Sequence, residues 1–295
     1  MQPALFPSAE PVCRDPPSQI QSVRTINLPR RNLTVYNLAA LEAALKDTIF
    51  AGHLHFSPRT GSTNSDALAA ARDDAPHGSV FFADEQTAGR GRGDHSWEST
   101  PGEGLYVSVL LRLALPSARA PMLPLVAGLA ALDAIRTASG LAADLRWPND
   151  LLIGERKTGG ILVESKTEEG ALAFAVVGIG INVHQRAFSP DLATPPTSLD
   201  LELPRPASRQ PLLIALLESL EREAHNLVHA DAAQTILSRV EQASTWARGR
   251  QVEVHGPQAC TGITAGLSEN GFLLVKTAGG LMAVRTGGIR AAKLG

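Results

Sequence analysis

The chain has 295 residues, 44% of them hydrophobic, which is about two domains' worth of sequence with ample apolar material for a core. A formal net charge of −2 and an aromatic content of only 4% argue against a protein whose surface is built to bind nucleic acid. Cys13 and Cys260 are the only cysteines, which excludes a disulfide-stapled scaffold and a cysteine-rich zinc site and fits a reducing compartment.

Residues 1–35 are rich in proline and show little periodicity, so we expect a poorly ordered leader. This leader lacks the charged start and the continuous apolar segment of a signal peptide. The longest uncharged stretches, 120–132 and 170–183, are too short to cross a bilayer of roughly 30 Å. We therefore expect a soluble cytoplasmic protein with no membrane partner.

Helix and strand patterns alternate after the leader. Apolar residues at helical spacing over 38–49 predict a short amphipathic helix. The polar residues Ser62-Thr63-Asn64 are suited to cap a second helix over 66–71. Short apolar runs predict strands at 79–83 and 105–111, with a loop rich in glycine and arginine between them.

The second half of this region continues the alternation. Residues 121–140 predict a long apolar helix that ends at a glycine. Two strands are expected at 160–164 and 172–183. Helices are expected at 212–220, where leucines form one apolar stripe, and at 232–247.

The character of the chain changes after Gly249. Short β-like runs at 252–255, 272–276 and 281–285 alternate with glycine-containing turn signals. This spacing predicts a small antiparallel barrel or sandwich, and we place a domain boundary near residue 248.

The loop between the first two predicted strands combines glycine with arginine. In the run from Asp84 to Gly93, three glycines alternate with Arg90 and Arg92, and Trp97 follows shortly after. Glycine lets the backbone approach a ligand closely, and guanidinium groups bind phosphate or carboxylate. A surface turn with solvated arginines is the alternative.

Two further motifs place charged side chains beside turns. In Arg146-Trp147-Pro148-Asn149-Asp150, the proline directs an amide and a carboxylate, which suits a phosphate–Mg²⁺ site or the orientation of an amine. An ordinary turn explains this motif equally well. Lys157 precedes Gly159-Gly160 and an apolar strand, where a compact cation can bridge two anionic groups. A lysine at a hairpin turn is the alternative there.

Glycine also interrupts the apolar run from Val177 to Val183. Gly178 and Gly180 indicate that another group packs against the strand backbone, and Asn182 adds one polar side chain. A plain β-bulge is the alternative.

Taken together and in order, these motifs resemble those of the biotin protein ligases, also called biotin–[acetyl-CoA-carboxylase] ligases. The matching features are Ser62-Thr63-Asn64, Gln86…Gly89-Arg90-Gly91-Arg92…Trp97, Trp97-Glu98-Ser99, Arg146-Trp147-Pro148-Asn149-Asp150, Lys157-Thr158-Gly159-Gly160-Ile161-Leu162 and Gly178-Ile179-Gly180-Ile181-Asn182. The resemblance covers about residues 55–295. It implies an α+β, class II synthetase-like catalytic domain with a mixed sheet at 36–248, followed by a small SH3-like β-barrel at 249–295.

The resemblance also implies a two-step reaction, in which biotin and Mg·ATP give biotinyl-5′-AMP and biotin then passes to a lysine of a biotin carboxyl carrier protein. The implied catalytic residues are Lys157, Arg92 and Asp150. The implied biotin-binding residues are Ser62, Thr63, Asn64, Gln86, Gly89, Arg90, Lys157, Gly160 and Gly178. The implied ATP-binding residues are Arg90, Arg92, Trp97, Arg146, Asn149, Lys157 and Asn182, with Mg²⁺ expected on the ATP phosphates near Asn149 and Asn182.

Three positions depart from the family pattern. Asp94-His95 follows the arginine pair where Gly-Arg or Gly-Asn is common, and Arg146 replaces the usual lysine. Residues 286–290 match the closing motif of the family only loosely, so no role is assigned to Arg290.

Other readings of the same motifs differ in activity. Some biotin ligases carry an N-terminal DNA-binding domain, but residues 1–55 offer only one helix and the leader. We therefore expect the short type of biotin ligase, with no nucleic-acid partner. We expect it to be a monomer or a homodimer. A lipoate ligase or octanoyltransferase of the same fold is the alternative enzyme, and the Gly-Arg-Gly-Arg and Trp-Pro-Asn-Asp motifs argue against it. A non-catalytic binding module is the third reading, and the joint presence of Lys157, Arg92 and Asp150 argues against that.

Overall fold

The computed structural model describes residues 36–93, 95–190, 192–229 and 232–292. These residues form two β-sheets and six α-helices with their connecting loops. The predicted leader and Asp94 lie outside these residues. The helices are α1 (Leu38–Ala44), α2 (Thr63–Arg72), α3 (Leu123–Ser139), α4 (Leu199–Glu202), α5 (Arg209–Val228) and α6 (Ala232–Ala243). The strands are β1 (Leu54–Thr60), β2 (Val80–Gln86), β3 (Gly104–Leu111), β4 (Asp144–Arg146), β5 (Asp150–Ile153), β6 (Arg156–Glu168), β7 (Ala171–Asn182), β8 (Arg248–His255), β9 (Cys260–Leu267), β10 (Leu273–Thr277), β11 (Gly280–Val284) and β12 (Gly288–Ala291).

The first sheet is mixed and has the strand order β1-β2-β3-β7-β6-β5-β4. β1 and β2 pair in parallel, and the other neighbours pair antiparallel. The central strand β3 is buried at every residue because helices cover both faces of the sheet there. The hydroxyl of Ser108, the one serine in this strand, is therefore fully buried.

The main hydrophobic core lies between the sheet and helices α3, α5 and α6. α3 is apolar along most of its length and ends at Gly140, whose φ of +76° is the left-handed conformation that glycine adopts without strain. On the opposite face, Ala67 and Ala71 of α2 pack on Leu110 and Val176. These small side chains bring α2 close to the sheet, which sets the first turn of the helix over β3 and β7.

The second sheet is antiparallel, with the strand order β11-β10-β9-β8-β12. Its buried side chains are continuous with the main core. The indole nitrogen of Trp147 donates to the carbonyl oxygen of Gly271 at 3.1 Å, so the turn between β4 and β5 is tied directly to this sheet. The predicted α+β class, a mixed-sheet domain followed by a small all-β part, is confirmed.

Several strands are present that the sequence patterns did not predict. β1 contains Pro58 and Arg59, which are atypical of a strand, but it lies at the edge of the sheet, where proline is tolerated. β4 and β5 are only three and four residues long, which is too short for a periodic pattern. The predicted long helix is confirmed, with a short 3₁₀ turn, Ser117–Met122, ahead of it.

This helical stretch, Ser117–Ser139, is long and apolar enough to cross a membrane by length and composition. Of its most apolar window, 61% is buried inside the protein, as is usual for a core helix.

Candidate active site

A cavity of about 690 Å³ brings the predicted site residues together. It lies where α2, the Gly/Arg loop and the β4–β5 turn meet strands β6 and β7. The predicted residues that line it are Ser62, Thr63, Asn64, Gln86, Arg90, Arg92, Trp97, Arg146, Asn149, Asp150, Lys157, Gly160, Gly178 and Asn182. Gly89 is the one predicted site residue that does not.

Gly89 serves the loop itself. Its carbonyl oxygen accepts a hydrogen bond from the amide of Trp97 at 2.8 Å, which brings the returning strand of the loop directly over it. A Cβ at Gly89 would lie 2.4 Å from the carbonyl oxygen of Trp97 and 2.9 Å from Oγ of Ser99. Glycine is therefore required here by the loop itself, and the predicted contact of Gly89 with biotin stays a prediction.

The glycines of β7 are packed against by side chains from other elements. A Cβ at Gly178 would lie 2.0 Å from Oδ1 of Asn64, and one at Gly180 would lie 2.7 Å from Nε1 of Trp97. The interpretation that glycine here allows another group to approach the strand backbone is confirmed, and the groups are a helix amide and an indole ring.

The first turn of α2 supplies polar groups to the cavity. Ser62 is the N-cap by its backbone conformation, but its side chain makes no capping hydrogen bond, so the predicted capping role is wrong. Thr63 is the first residue of the helix; its amide donates to Oε1 of Gln86 at 2.9 Å, and its hydroxyl oxygen lies 3.0 Å from the same atom. Nε2 of Gln86 donates to Oγ of Ser99 at 2.8 Å. These contacts hold hydroxyl and amide groups at one end of the cavity.

Arg90, in the Gly/Arg loop, forms an ion pair with Glu164 of β6. Its two terminal nitrogens donate to the carboxylate of Glu164, at 3.0 and 2.5 Å. A two-pronged contact of this kind is geometrically specific. Arg90 lines the cavity, but its guanidinium is neutralised by Glu164, and its predicted contacts with biotin and ATP remain predictions.

Three charged residues form the other end of the cavity. Nζ of Lys157 lies 2.5 Å from Oδ1 of Asp150, and Nη2 of Arg146 lies 2.6 Å from Oδ2 of the same carboxylate. Arg146 also donates to Oγ1 of Thr194 at 2.7 Å. Nζ of Lys157 lies 5.6 Å from the centre of the Trp97 ring, a cation–π distance. The ammonium is therefore held at a defined place, with one carboxylate and one aromatic face around it.

The Asp150 carboxyl is ionised in this arrangement. Burial alone raises its pKa, but the charges of Lys157 and Arg146, together with their hydrogen bonds, outweigh burial and hold the pKa below its ordinary value. A half-buried carboxylate that is shared by two cations keeps both of them in position.

The lowered pKa of Asp150 predicts a pH-dependent contribution to stability. A depressed folded pKa stabilises the protein above the unfolded value of about 3.8, and that contribution is lost as pH falls through the folded value. We expect the difference in unfolding free energy between the unaltered protein and Asp150→Asn, measured with urea from pH 7 to pH 3, to shrink below pH 4. The exposed Asp47→Asn serves as control. A difference that stays constant over this range contradicts the assignment.

Arg92 and two asparagines complete the lining. Burial lowers the pKa of the Arg92 guanidinium and Asp150 opposes the shift, but an arginine remains charged at neutral pH. Nη1 of Arg92 lies 3.5 Å from Oδ1 of Asn149. Asn149 donates through Nδ2 to the carbonyl of Ile161 at 2.8 Å, and Asn182 donates to that of Thr197 at 3.0 Å. Both amides are thus fixed through Nδ2, and Oδ1 of Asn149 accepts from Arg92.

Sequence reasoning missed several residues of this site. Ser108 and Glu164 contact residues that line the cavity without lining it themselves. A serine in an otherwise apolar stretch of the central strand and a carboxylate at the end of an apolar run were the available signals. Residues 255–257 and 286–290, including Arg290, also line the cavity, so the second sheet takes part in the site.

Comparison with known proteins identifies the family to which the chain is similar. The sequence model of the biotin/lipoate A/B protein ligase family matches residues 56–182. A biotin–[acetyl-CoA-carboxylase] ligase of Mycobacterium tuberculosis is 33% identical over 238 residues, covering 78% of this chain and 86% of the relative. A bifunctional ligase/repressor BirA of Bacillus spizizenii is 40% identical over 157 residues, covering 52% of this chain and 48% of the relative, so the chain spans about half the length of that protein.

Solved structures give the same likeness. The biotin protein ligase from Aquifex aeolicus in complex with biotin and ATP superimposes with a TM-score of 0.69 at 28% identity. That match covers 81% of this chain and 98% of the Aquifex chain.

Proposed function

The chain belongs to the biotin/lipoate A/B protein ligase family, and we propose that it is a biotin protein ligase. It activates biotin with ATP and transfers the biotinyl group to a lysine of a biotin carboxyl carrier protein. The observation that supports this most strongly is one cavity with neutral hydrogen-bonding groups at one end, around Thr63 and Gln86, and fixed cations at the other, Lys157 and Arg92. Biotin has the same division, with a neutral ureido ring and an anionic carboxylate.

The first step joins two anions. An oxygen of the biotin carboxylate attacks the α-phosphorus of ATP, the bond to the β-phosphate oxygen breaks, and pyrophosphate leaves. Lys157 and Arg92 offset the repulsion between carboxylate and polyphosphate. Because Asp150 and Asn149 hold these cations in place before the reaction, little reorganisation is needed as the bond forms.

Magnesium enters this scheme with the nucleotide. Within the described ranges, no group of three or more histidine, cysteine, aspartate or glutamate side chains is arranged to hold a metal ion. Mg²⁺ commonly binds through substrate phosphates with few protein ligands, so the residues present fit a Mg·ATP substrate. We assign Asn149, which contacts Arg92 through Oδ1, and Asn182 to the phosphate side of the cavity.

The second step passes biotin to the carrier. The lysine amine attacks the carbonyl carbon of the adenylate, the bond to the phosphate oxygen breaks, and AMP leaves with the proton going to solvent. Because the pKa of Asp150 lies below its ordinary value, its carboxylate is a weak base. We therefore assign Asp150 the role of orienting the incoming lysine by charge.

The lipoate-ligase alternative is not favoured. The relatives above that match most of the chain are named for biotin. We place the reaction in the cytoplasm, where ATP and an intracellular carrier meet.

Two assays test the proposal. With biotin and Mg·ATP, the protein is expected to catalyse biotin-dependent exchange of labelled pyrophosphate into ATP. With a carrier domain added, mass spectrometry is expected to show one biotinyl group on a lysine. Calorimetric titration with biotin and with lipoate decides between the two acids. Absence of both exchange and labelling rejects the proposed function.

A further inference from the structure

Glu164 holds an amide of the biotin end in one orientation. Its carboxylate accepts a hydrogen bond from Nδ2 of Asn64 at 2.9 Å, beside the fork from Arg90. The carbonyl oxygen of Leu162 accepts from the same Nδ2 at 3.4 Å. Because a carboxylate and a peptide carbonyl can only accept, Asn64 must turn Nδ2 toward β6 and Oδ1 toward β3.

Ser108 of β3 is the hydrogen-bond donor to Oδ1 of Asn64. Its Oγ lies 2.6 Å from Oδ1 of Asn64 and 2.8 Å from Oγ1 of Thr63, and the side chain is fully buried. A hydroxyl has one hydrogen to donate. Since Oδ1 of Asn64 can only accept, that hydrogen goes to Asn64, and Ser108 does not donate to Thr63.

The consequence falls on Thr63, which lines the cavity. Its own hydrogen goes to Oε1 of Gln86 at 3.0 Å or to Oγ of Ser108. In either case Ser108 offers Thr63 a lone pair and not a hydrogen, so the hydrogen of Thr63 points to a protein oxygen and not to a ligand. Oγ1 of Thr63 is left able to accept a hydrogen bond from a ligand N–H group.

We propose that Glu164 and Ser108 are positioning residues that set the hydrogen-bond polarity of the ureido end of the cavity. We call the series of hydrogen bonds from the Glu164 carboxylate through Asn64 and Ser108 to Thr63 the relay. At its end, Oγ1 of Thr63 accepts a hydrogen bond from a ureido N–H group. This inference rests on the proposed function, because it takes biotin as the acid that is bound. A ring without N–H donors, such as that of lipoate, has no use for this acceptor.

Glu164→Gln and Ser108→Ala interrupt the relay at opposite ends. A glutamine amide at 164 can donate to Asn64, which allows the Asn64 amide to reverse, and alanine at 108 removes the hydroxyl that links Asn64 to Thr63. In pyrophosphate exchange, we expect each change to raise the KM for biotin roughly tenfold or more, since a buried polar group is left unmatched. The KM for ATP and the kcat at saturating biotin are expected to stay within twofold. A merely structural defect shifts all three.

The double variant adds a second readout. Because both changes break one relay, the double variant is expected to raise the KM for biotin no more than the larger single change. Glu85→Gln is the matched control, since Glu85 is as exposed as Glu164, at 28%, and pairs with Arg59 on the neighbouring strand. Thermal unfolding of each variant checks that the fold is retained.

The outcomes separate the two proposals. Unaltered protein without biotin-dependent exchange rejects the proposed function itself. Active unaltered protein in which Glu164→Gln leaves the KM for biotin unchanged overturns the relay while the function stands. Additive effects in the double variant, or parallel changes in kcat and the KM for ATP, overturn the relay as well.

Discussion

Lys157→Ala is expected to slow biotinyl-adenylate formation roughly 10²- to 10³-fold, the loss seen when one preorganised charge-stabilising group is removed. The ammonium is fixed between Asp150 and the Trp97 ring, so its charge is available without rearrangement when carboxylate meets phosphate. Removal also takes one positive charge from the cluster, so Asp150 and Arg146 cancel each other and no excess positive charge is left there to offset two anionic substrates. Single-turnover release of pyrophosphate measures the step directly.

The matched control for this prediction lies on the same strand. Lys166 of β6 pairs with Glu168 at the surface, and its side chain is 60% exposed. We expect Lys166→Ala to release pyrophosphate at the unaltered rate. An unchanged rate for Lys157→Ala shows that the ammonium plays no part in the first step.

The sequence motifs predicted which residues meet, because each motif contains the groups that its chemistry needs. They did not predict how those residues pair. Arg90 and Arg146 were both expected to face the nucleotide, yet Glu164 and Asp150 hold them. The partner of Arg90 lies 74 residues away, so no local spacing reveals that pair. Arg146 and Asp150 are four residues apart, but their pairing depends on the turn that brings β4 and β5 together.

The secondary structure elements also differ in how well the sequence predicts them. Long apolar helices such as α3 were predictable because periodicity and a terminal glycine mark them. The edge strand β1 was not, because its pattern is dominated by Pro58 and Arg59 and its position depends on pairing with β2. Ser108 shows the same limit inside the core, since its polarity is explained only by α2 lying across β3.

Gly178 is the position where a small change is expected to damage the biotin end most. It pairs with Ser108 across β3 and β7, and the Asn64 amide lies directly on it. The Cβ of Gly178→Ala would lie 2.0 Å from Oδ1 of Asn64, so the amide must leave its hydrogen bonds to Ser108 and Glu164. Overpacking of this kind lowers the unfolding free energy by about 1–3 kcal/mol. Because the displaced amide no longer directs Ser108 and Thr63, we also expect the affinity for biotin, measured by calorimetry, to fall roughly 10- to 100-fold.

A second substitution separates the steric clash from the lost recognition. Gly178→Ala with Asn64→Ala removes the clash, so the unfolding free energy is expected to recover most of what Gly178→Ala loses. Biotin affinity is expected to stay low, because the Asn64 amide that directs Ser108 and Thr63 is gone. Gly279→Ala, where the nearest atom to a new Cβ is 3.8 Å away, controls for the glycine change itself. Full recovery of affinity in the double variant means that Asn64 acts only as packing against β7.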